Sequence, residues 1–271
     1  MFGVAITPLM PRFIGHPVLE EQLADATRAP AHKKGRPVHA PSKTGSQILA
    51  SLAPADFALL KPDLESVELP LRRQLELRGR RIESVYFLDS GLASMVVGAS
   101  ANHNIEVGIV GNEGMTGLSI LLGTDHSILE TFIQTAGVGR RIATDKLRAA
   151  IEQSPSLRHS LLLYAHTLVT QIAYSALANA RYKVEERLAR WLLMADDRAN
   201  GAGIHLTHEF LALMLGARRA SVTLALNDLQ KRKILRAARG HITVENRTAL
   251  ELAANGSYGI PEAEYRRVFG D

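Results

Sequence analysis

Two periodicities divide the chain. Between Ile82 and Gly137 the apolar residues come in short runs, 82-IESVYFL-88, 92-LASMVVG-98, 105-IEVGIVG-111 and 128-ILETFIQTAG-137, separated by Gly, Asp, Asn or Ser. Runs of this length broken by turn formers predict strands, and four in succession predict an antiparallel roll or barrel. Glycines at 108, 111, 114 and 117 fall every third residue without the strand-then-helix frame of a dinucleotide site, so they predict tight turns or close backbone approach. Upstream, a short helix is expected from Gly45 to about Pro54, and Pro54 opens a second over 55-ADFALLKPDLESV-67.

From Thr144 onward the spacing lengthens to that of a helix. The segment 144-TDKLRAAIEQ-153 ends before Pro155, and a long helix is predicted from Leu157 to about Asn179. On it Leu157, Leu161, Tyr164, Leu168 and Ile172 recur at spacings of four, three, four and four, while Leu162, Val169, Ala173 and Leu177 lie on another face. A helix apolar on two faces must bury both, and one roll covers only one. A partner helix from a second copy, with the first stripe as the dimer contact, is the economical explanation; a wholly internal helix is the alternative. A further helix is expected over 183-KVEERLARWLLMADD-197, with Val184, Leu188, Trp191, Leu192 and Ala195 facing the core.

Two more helix patterns meet at Gly216. Thr207 can cap a helix starting at His208, with Glu209 in its first turn and Phe210, Leu211, Met214 and Leu215 on its apolar side. Gly216 closes it, and 219-RASVTLALNDLQKR-232 begins the next after a very short turn, as in a helix-turn-helix. Val222, Ala225, Leu226 and Leu229 follow the helical repeat toward the core. The opposite face presents Ala220, Leu224, Asn227 and Lys231 with Thr223 at its flank, and Arg218 and Arg219 stand at the N-terminal end, where such helices reach base edges. The run 234-ILRAARGHITVE-245 reads as a hairpin wing whose Arg236, Arg239 and His241 face a sugar-phosphate backbone. The residues assigned to DNA contact are Thr207, Arg218, Arg219, Ala220, Ser221, Thr223, Leu224 and Arg239.

Composition sharpens this picture in three ways. The net charge is +5 over 271 residues, yet no Lys or Arg occurs between Arg81 and Arg140, whereas Gly201 to Arg247 holds eight basic residues against three acids. An acidic module beside a basic one is the footprint of a polyanion partner, with simple solubility as the bland reading. The absence of cysteine excludes disulfides, thiolate metal sites and thiol switches. No apolar run is expected to span a membrane and no cleavable leader is apparent, which predicts a cytoplasmic protein without a membrane partner. Residues 1–44, rich in Pro, Arg, Lys and His, lack apolar periodicity and read as a disordered tail; a basic arm on DNA or an upstream translation start are the alternatives.

The order of parts, a strand roll, a long helix with a stripe, then a winged helix-turn-helix, resembles the Crp/Fnr family of bacterial transcription regulators. The resemblance runs from about Gln47 to Leu252 and is carried by 111-GNEGMTGLSILLG-123, 185-EERLARWLLMADDR-198 and 207-THEFLALMLGARRASVTLALNDLQKRKIL-235 with 239-RGHITV-244. It implies an α+β fold with a β-roll of the cyclic-nucleotide-binding type over 45–153, a dimerisation helix over 154–180 and a winged helix-turn-helix over 181–271. It further implies a homodimer on a two-fold symmetric duplex site, acting through RNA polymerase.

Cyclic-nucleotide-binding members carry a Gly-Glu start to the phosphate cassette and an Arg followed by Ser or Thr near its end. Here 117-GLSILLGTDHSILE-130 keeps Gly117 but neither the Glu nor any Arg. A cyclic phosphate would enter an acidic module that lacks Lys and Arg for 58 consecutive residues, so sensing of cyclic AMP or GMP is disfavoured, although backbone amides at a glycine turn can hold an anion. No cofactor is expected; haem through His103, His126, His159 or His166 is the remote alternative. Ala220 and Leu224 stand where family members often place Glu and Arg, which implies a different target sequence. Arg219 keeps the family type and Ser221 is conservative. Arg218 stands where a small capping residue is common.

Two other classes compete with this reading. A cupin-like metal oxygenase would need clustered histidines, and His103 with Glu106 has no second close histidine. An interaction protein that has lost DNA binding fits poorly with Arg219, the basic wing and Lys231-Arg232-Lys233.

Overall fold

The structure is a computed structural model, and it describes residues 45–98, 104–199, 204–238 and 240–270. The tail assigned to residues 1–44 lies outside them, as do His103 and Arg239.

Helix α1, Gln47–Ser51, is capped by Ser46, whose own N–H donates to Asp89 Oδ1 at 3.0 Å. Helix α2, Pro54–Leu60, starts on its proline and is shorter than expected, because a 3-10 turn at Lys61–Asp63 follows and strand β1 already occupies Glu65–Leu69. Pro62 has no N–H with which to continue the helical ladder, which accounts for the stop.

The strands β2 (Gln74–Glu76), β3 (Ser84–Leu88), β4 (Leu92–Gly98), β5 (Asn104–Val110), β6 (Glu130–Thr135) and β7 (Gly137–Ala143) complete the roll. They form two antiparallel sheets, in the orders β1-β7-β3 and β2-β6-β4-β5. Phe87, Leu88, Met115, Ile133 and Ile142 fill the space between them, and helix α3, Leu118–Leu121, closes one end.

Helix α4, Thr144–Gln153, leads into α5, Pro155–Arg181. Ser154 accepts from the Leu157 N–H at 3.2 Å and donates to Asp56 at 2.5 Å, so the cap of α5 is anchored to α2. The stripe expected to join two copies faces inward instead. Leu157, Leu161, Tyr164 and Leu168 are buried in the roll's own core, and Ile172 packs against it. The physical reason is fit at the roll: the Tyr164 hydroxyl donates to Met115 O at 2.8 Å, and Gly114 leaves room for the ring, since a Cβ there would stand 2.5 Å from the phenol oxygen. The outward face carries Leu162, Val169 and Leu177, which are 44%, 47% and 46% exposed.

By length and composition alone α5 is apolar enough to cross a membrane, contrary to the expectation that no segment is. Its inward stripe, however, belongs to the core of the roll.

Helix α6, Val184–Ala199, begins the second core. After it come β8 (Ile204–His205), α7 (His208–Met214), α8 (Arg219–Lys231), and the hairpin β9 (Leu235–Ala238) and β10 (His241–Val244), with sheet order β8-β10-β9. Helices α9, Arg247–Ala253, and α10, Ile260–Phe269, end the described chain. The second core takes in Leu92 and Ile109 from the roll, and α10 turns back to lie on α5. There Tyr265 donates to Glu113 O at 2.8 Å, and His166 Nε2 meets Glu264 at 2.7 Å. Helix α10 has no counterpart among the predicted elements, although 260-IPEAEYRRVF-269 carries a first-turn proline, Glu262 bonded back to the Gly259 N–H at 3.0 Å, and arginines in the last turn.

Replacing Leu161 with Ala is expected to lower the free energy of unfolding by about 2–5 kcal/mol, as for a buried leucine in a packed core. Urea denaturation should show the same deficit at low and high protein concentration. A deficit confined to concentrations at which the chain self-associates would return Leu161 to a subunit contact.

Candidate nucleic-acid interface

The side chain of Thr207 accepts from the Phe210 N–H at 3.1 Å and so caps α7 as expected. Gly216 adopts a left-handed backbone with φ of 54°, which ends α7 and turns the chain into α8 within a few residues. Arg218 has the extended backbone of an N-cap, but its side chain makes no capping bond. A guanidinium has donors only and cannot accept from the first-turn N–H groups, so α8 goes without a side-chain cap here.

Helix α8 is sharply two-sided. Val222, Ala225, Leu226 and Leu229 are buried beneath it. Arg218, Arg219, Ala220, Leu224, Asn227 and Lys231 point outward, and Ser221 and Thr223 sit half-buried at the flanks. Leu224 is 70% exposed in the middle of this polar face, where folding alone gives it nothing to cover. Among the described residues no acid forms a salt bridge with Arg218 or Arg219. Thr223 is not a bare hydroxyl: its Oγ1 lies 3.0 Å from His208 Nδ1, which ties the recognition face to the first turn of α7.

The hairpin after α8 pairs in register from His241 with Ala238 to Val244 with Leu235, as the sequence predicted for a wing. Gln230 accepts from the Ala237 N–H at 3.0 Å, so the end of α8 fixes the wing's angle. Arg236 pairs with Glu245 at 3.3 Å, and Arg232 with Glu185 at 2.7 Å and Asp228 at 3.2 Å. The expected set of basic contacts is thereby divided: these two cations already have acidic neighbours, whereas Arg218 and Arg219 stand at the helix mouth.

The platform is held against the roll by contacts that single-chain spacing did not disclose. Phe210 of α7 meets Phe132 of β6 edge to face at 6.1 Å, and the turn at Gly216 lies against Ile105. Arg198 at the end of α6 pairs with Glu113 at 2.7 Å. Deep in the junction, Trp191 Nε1 donates to the carboxylate of Glu106, a buried strand residue. Burial pushes Glu106 up to about 7, against the opposing pull of Ser94, Trp191, Arg190 and Arg198. Its second oxygen has no hydrogen-bond partner among the described residues. The carboxylate of Glu106, the acid near His103 in the oxygenase alternative, receives an indole N–H across the domain junction.

Comparison with known proteins bears on the same region. Residues 186–253 match the family model of the Crp-like helix-turn-helix domain. A search of curated proteins found no match. Among solved structures, a transcriptional regulator of the crp/fnr family from Eubacterium rectale is similar at a TM-score of 0.62 and 16% identity, over 79% of this chain and 100% of that one. FixK2 from Bradyrhizobium japonicum gives 0.62 and 18%, over 70% and 96%. The c-di-GMP responsive global regulator CLP of Xanthomonas campestris gives 0.59 and 16%, over 71% and 99%. At these identities the likeness shows the fold.

Because the Glu106 carboxyl titrates higher in the packed junction than in an exposed chain, its contribution is fully present below about pH 4.5 and is lost as pH rises toward about 7. Glu106→Gln keeps an acceptor for Trp191 and removes the charge. The variant is expected to be more stable than wild type at pH 8 by on the order of 1–3 kcal/mol, with the difference shrinking toward pH 5. Urea unfolding across this range measures it, and a difference independent of pH would place the titration elsewhere.

Proposed function

We propose that this chain, a transcription regulator of the Crp/Fnr family with a Crp-like helix-turn-helix domain, acts as a homodimer on a palindromic duplex site and does not respond to cyclic AMP or GMP. The observation that carries the DNA reading is the two-sided α8, with Arg218, Arg219, Ala220 and Leu224 displayed on a face that the fold leaves uncovered.

In this reading α8 enters the major groove by its N-terminal half. Arg219 takes a guanine edge, where a guanidinium can donate to O6 and N7 together, and Arg218 grips a phosphate. Ala220 and Leu224 offer only apolar contact and so favour thymine methyls. Thr207, Ser221 and Thr223 line the approach. Thr207 is engaged through its capping oxygen and Thr223 through His208, which suits them to fixing register. Arg239, outside the described residues, remains assigned to the backbone beside the wing.

Pairing of two copies is assigned to the outward face of α5, with Leu162, Val169, Ala173 and Leu177, because the inward stripe is already buried. Two such helices side by side would set the recognition helices about one turn of duplex apart, as a dimeric reader requires. The lack of Lys and Arg from residue 82 to 139 supports insensitivity to cyclic nucleotides, and Arg81, at the edge of this stretch, pairs with Asp125 at 3.3 Å. Reaching DNA and RNA polymerase places the protein in the cytoplasm.

Selection from random duplexes by the purified protein without added ligand should enrich a palindrome. On that site Arg219→Ala is expected to weaken binding by about 1–3 kcal/mol and to relax preference at one base pair of each half-site. Uniform loss on every sequence would reduce Arg219 to a phosphate contact. Val169→Glu, which sets like charges against each other across the paired helices, is expected to give a monomer in sedimentation and to weaken operator binding at least about tenfold. An unchanged dimer would move the subunit contact elsewhere.

A further inference from the structure

The roll interior contains one feature that neither packing nor DNA reading accounts for. Glu76, on the short strand β2, is only 6% exposed, so its carboxylate is buried in the roll. Polar donors from separate stretches of the chain converge on it. The Gly117 N–H donates to Oε1 at 2.6 Å, and the Ser127 hydroxyl lies 2.9 Å from both Oε2 and the Leu129 carbonyl oxygen, which share its proton. Thr131, 1% exposed, lies directly across the strand pair from Glu76. Burial pushes the Glu76 carboxyl up, while the Gly117 and Ser127 donors hold it back. A carboxylate this deep is costly unless such donors compensate it.

We infer that Glu76 is a built-in anion: its carboxylate fills an oxyanion cradle formed by the Gly117 N–H and the Ser127 hydroxyl, and thereby holds the roll in its DNA-binding shape without a small-molecule effector. The path to the DNA-reading half is continuous. Gly117 is the residue on which α3 starts, α3 packs on α5, and α5 runs directly into α6 of the second core. Releasing the Gly117 end frees α3 to shift against α5, and α5 carries the shift to α6. The cradle itself is suited to a small carboxylate or comparable oxyanion, since the Gly117 N–H and the Ser127 hydroxyl are neutral donors at hydrogen-bond distance. This deepens the reading of the chain as a ligand-independent DNA-binding regulator and rests on it.

The test uses the full chain and acetate, the free counterpart of the side chain. Glu76→Ala is expected to melt at a lower temperature than wild type without DNA, and to recover with millimolar acetate but not with chloride at equal ionic strength. Its affinity for the selected operator should fall at least about tenfold and return with acetate, while wild type ignores acetate in both assays. Melting and DNA binding equal to wild type would overturn the proposal, as would a deficit that acetate does not relieve. Glu76→Gln, which keeps the shape and removes the charge, guards against simple misfolding. It should fold and still bind the operator more weakly than wild type, and full activity in this variant would also overturn the proposal. Failure of wild type itself to select any DNA would count against the regulator reading, whereas the acetate effect on melting reports on the cradle alone.

Discussion

The contact on which the rest of the molecule depends is the burial of one face of α5 against the roll. Leu157, Leu161, Tyr164 and Leu168 join the core that Phe87, Met115 and Ile133 build between the sheets. Once this face is fixed, the rotation of the helix about its axis is fixed, and with it the direction in which Leu162, Val169 and Leu177 look. Because α5 continues into α6 after only a break at Tyr182, its end also sets where the second core begins.

That second core is not independent of the first. Leu92 and Ile109 reach into it from the roll, Phe132 meets Phe210, and Glu106 accepts from Trp191. Helix α10 adds a return contact through Tyr265 and Glu264. The recognition helix is thus displayed on a platform tied to the roll at several points. These separate contacts fix where α8 stands relative to the roll.

The chemistry of the reading face is sparse by comparison. Two arginines at the helix mouth provide the charged donors, and the middle of the helix offers Ala220 and an exposed Leu224. In the proposed mode of reading, discrimination leans on a few bidentate contacts and on methyl complementarity, supported by a wing whose end is tied to α8 through Gln230.

Much of this was legible in the chain because local rules carry it. Alternating short runs mark the strands, Thr207 and Gly216 bracket α7, and the helical repeat of Val222, Ala225, Leu226 and Leu229 by itself places Arg219, Ala220 and Leu224 on the outside. Those features need only neighbours within a turn or two. The helix over 55–67 failed at Pro62, a local signal that was available, and α10 likewise carried readable caps. What the chain could not disclose was which of two apolar faces on α5 meets the roll, since both satisfy the same periodicity and only the fit of Tyr164 over Gly114 chooses. Nor could it bring Glu76 to Gly117 and Ser127, or Glu106 to Trp191. Partners separated by dozens of residues are set by packing of the whole roll, so periodicity determined the elements and their outward faces, and the tertiary structure decided which buried charges meet and what they hold together.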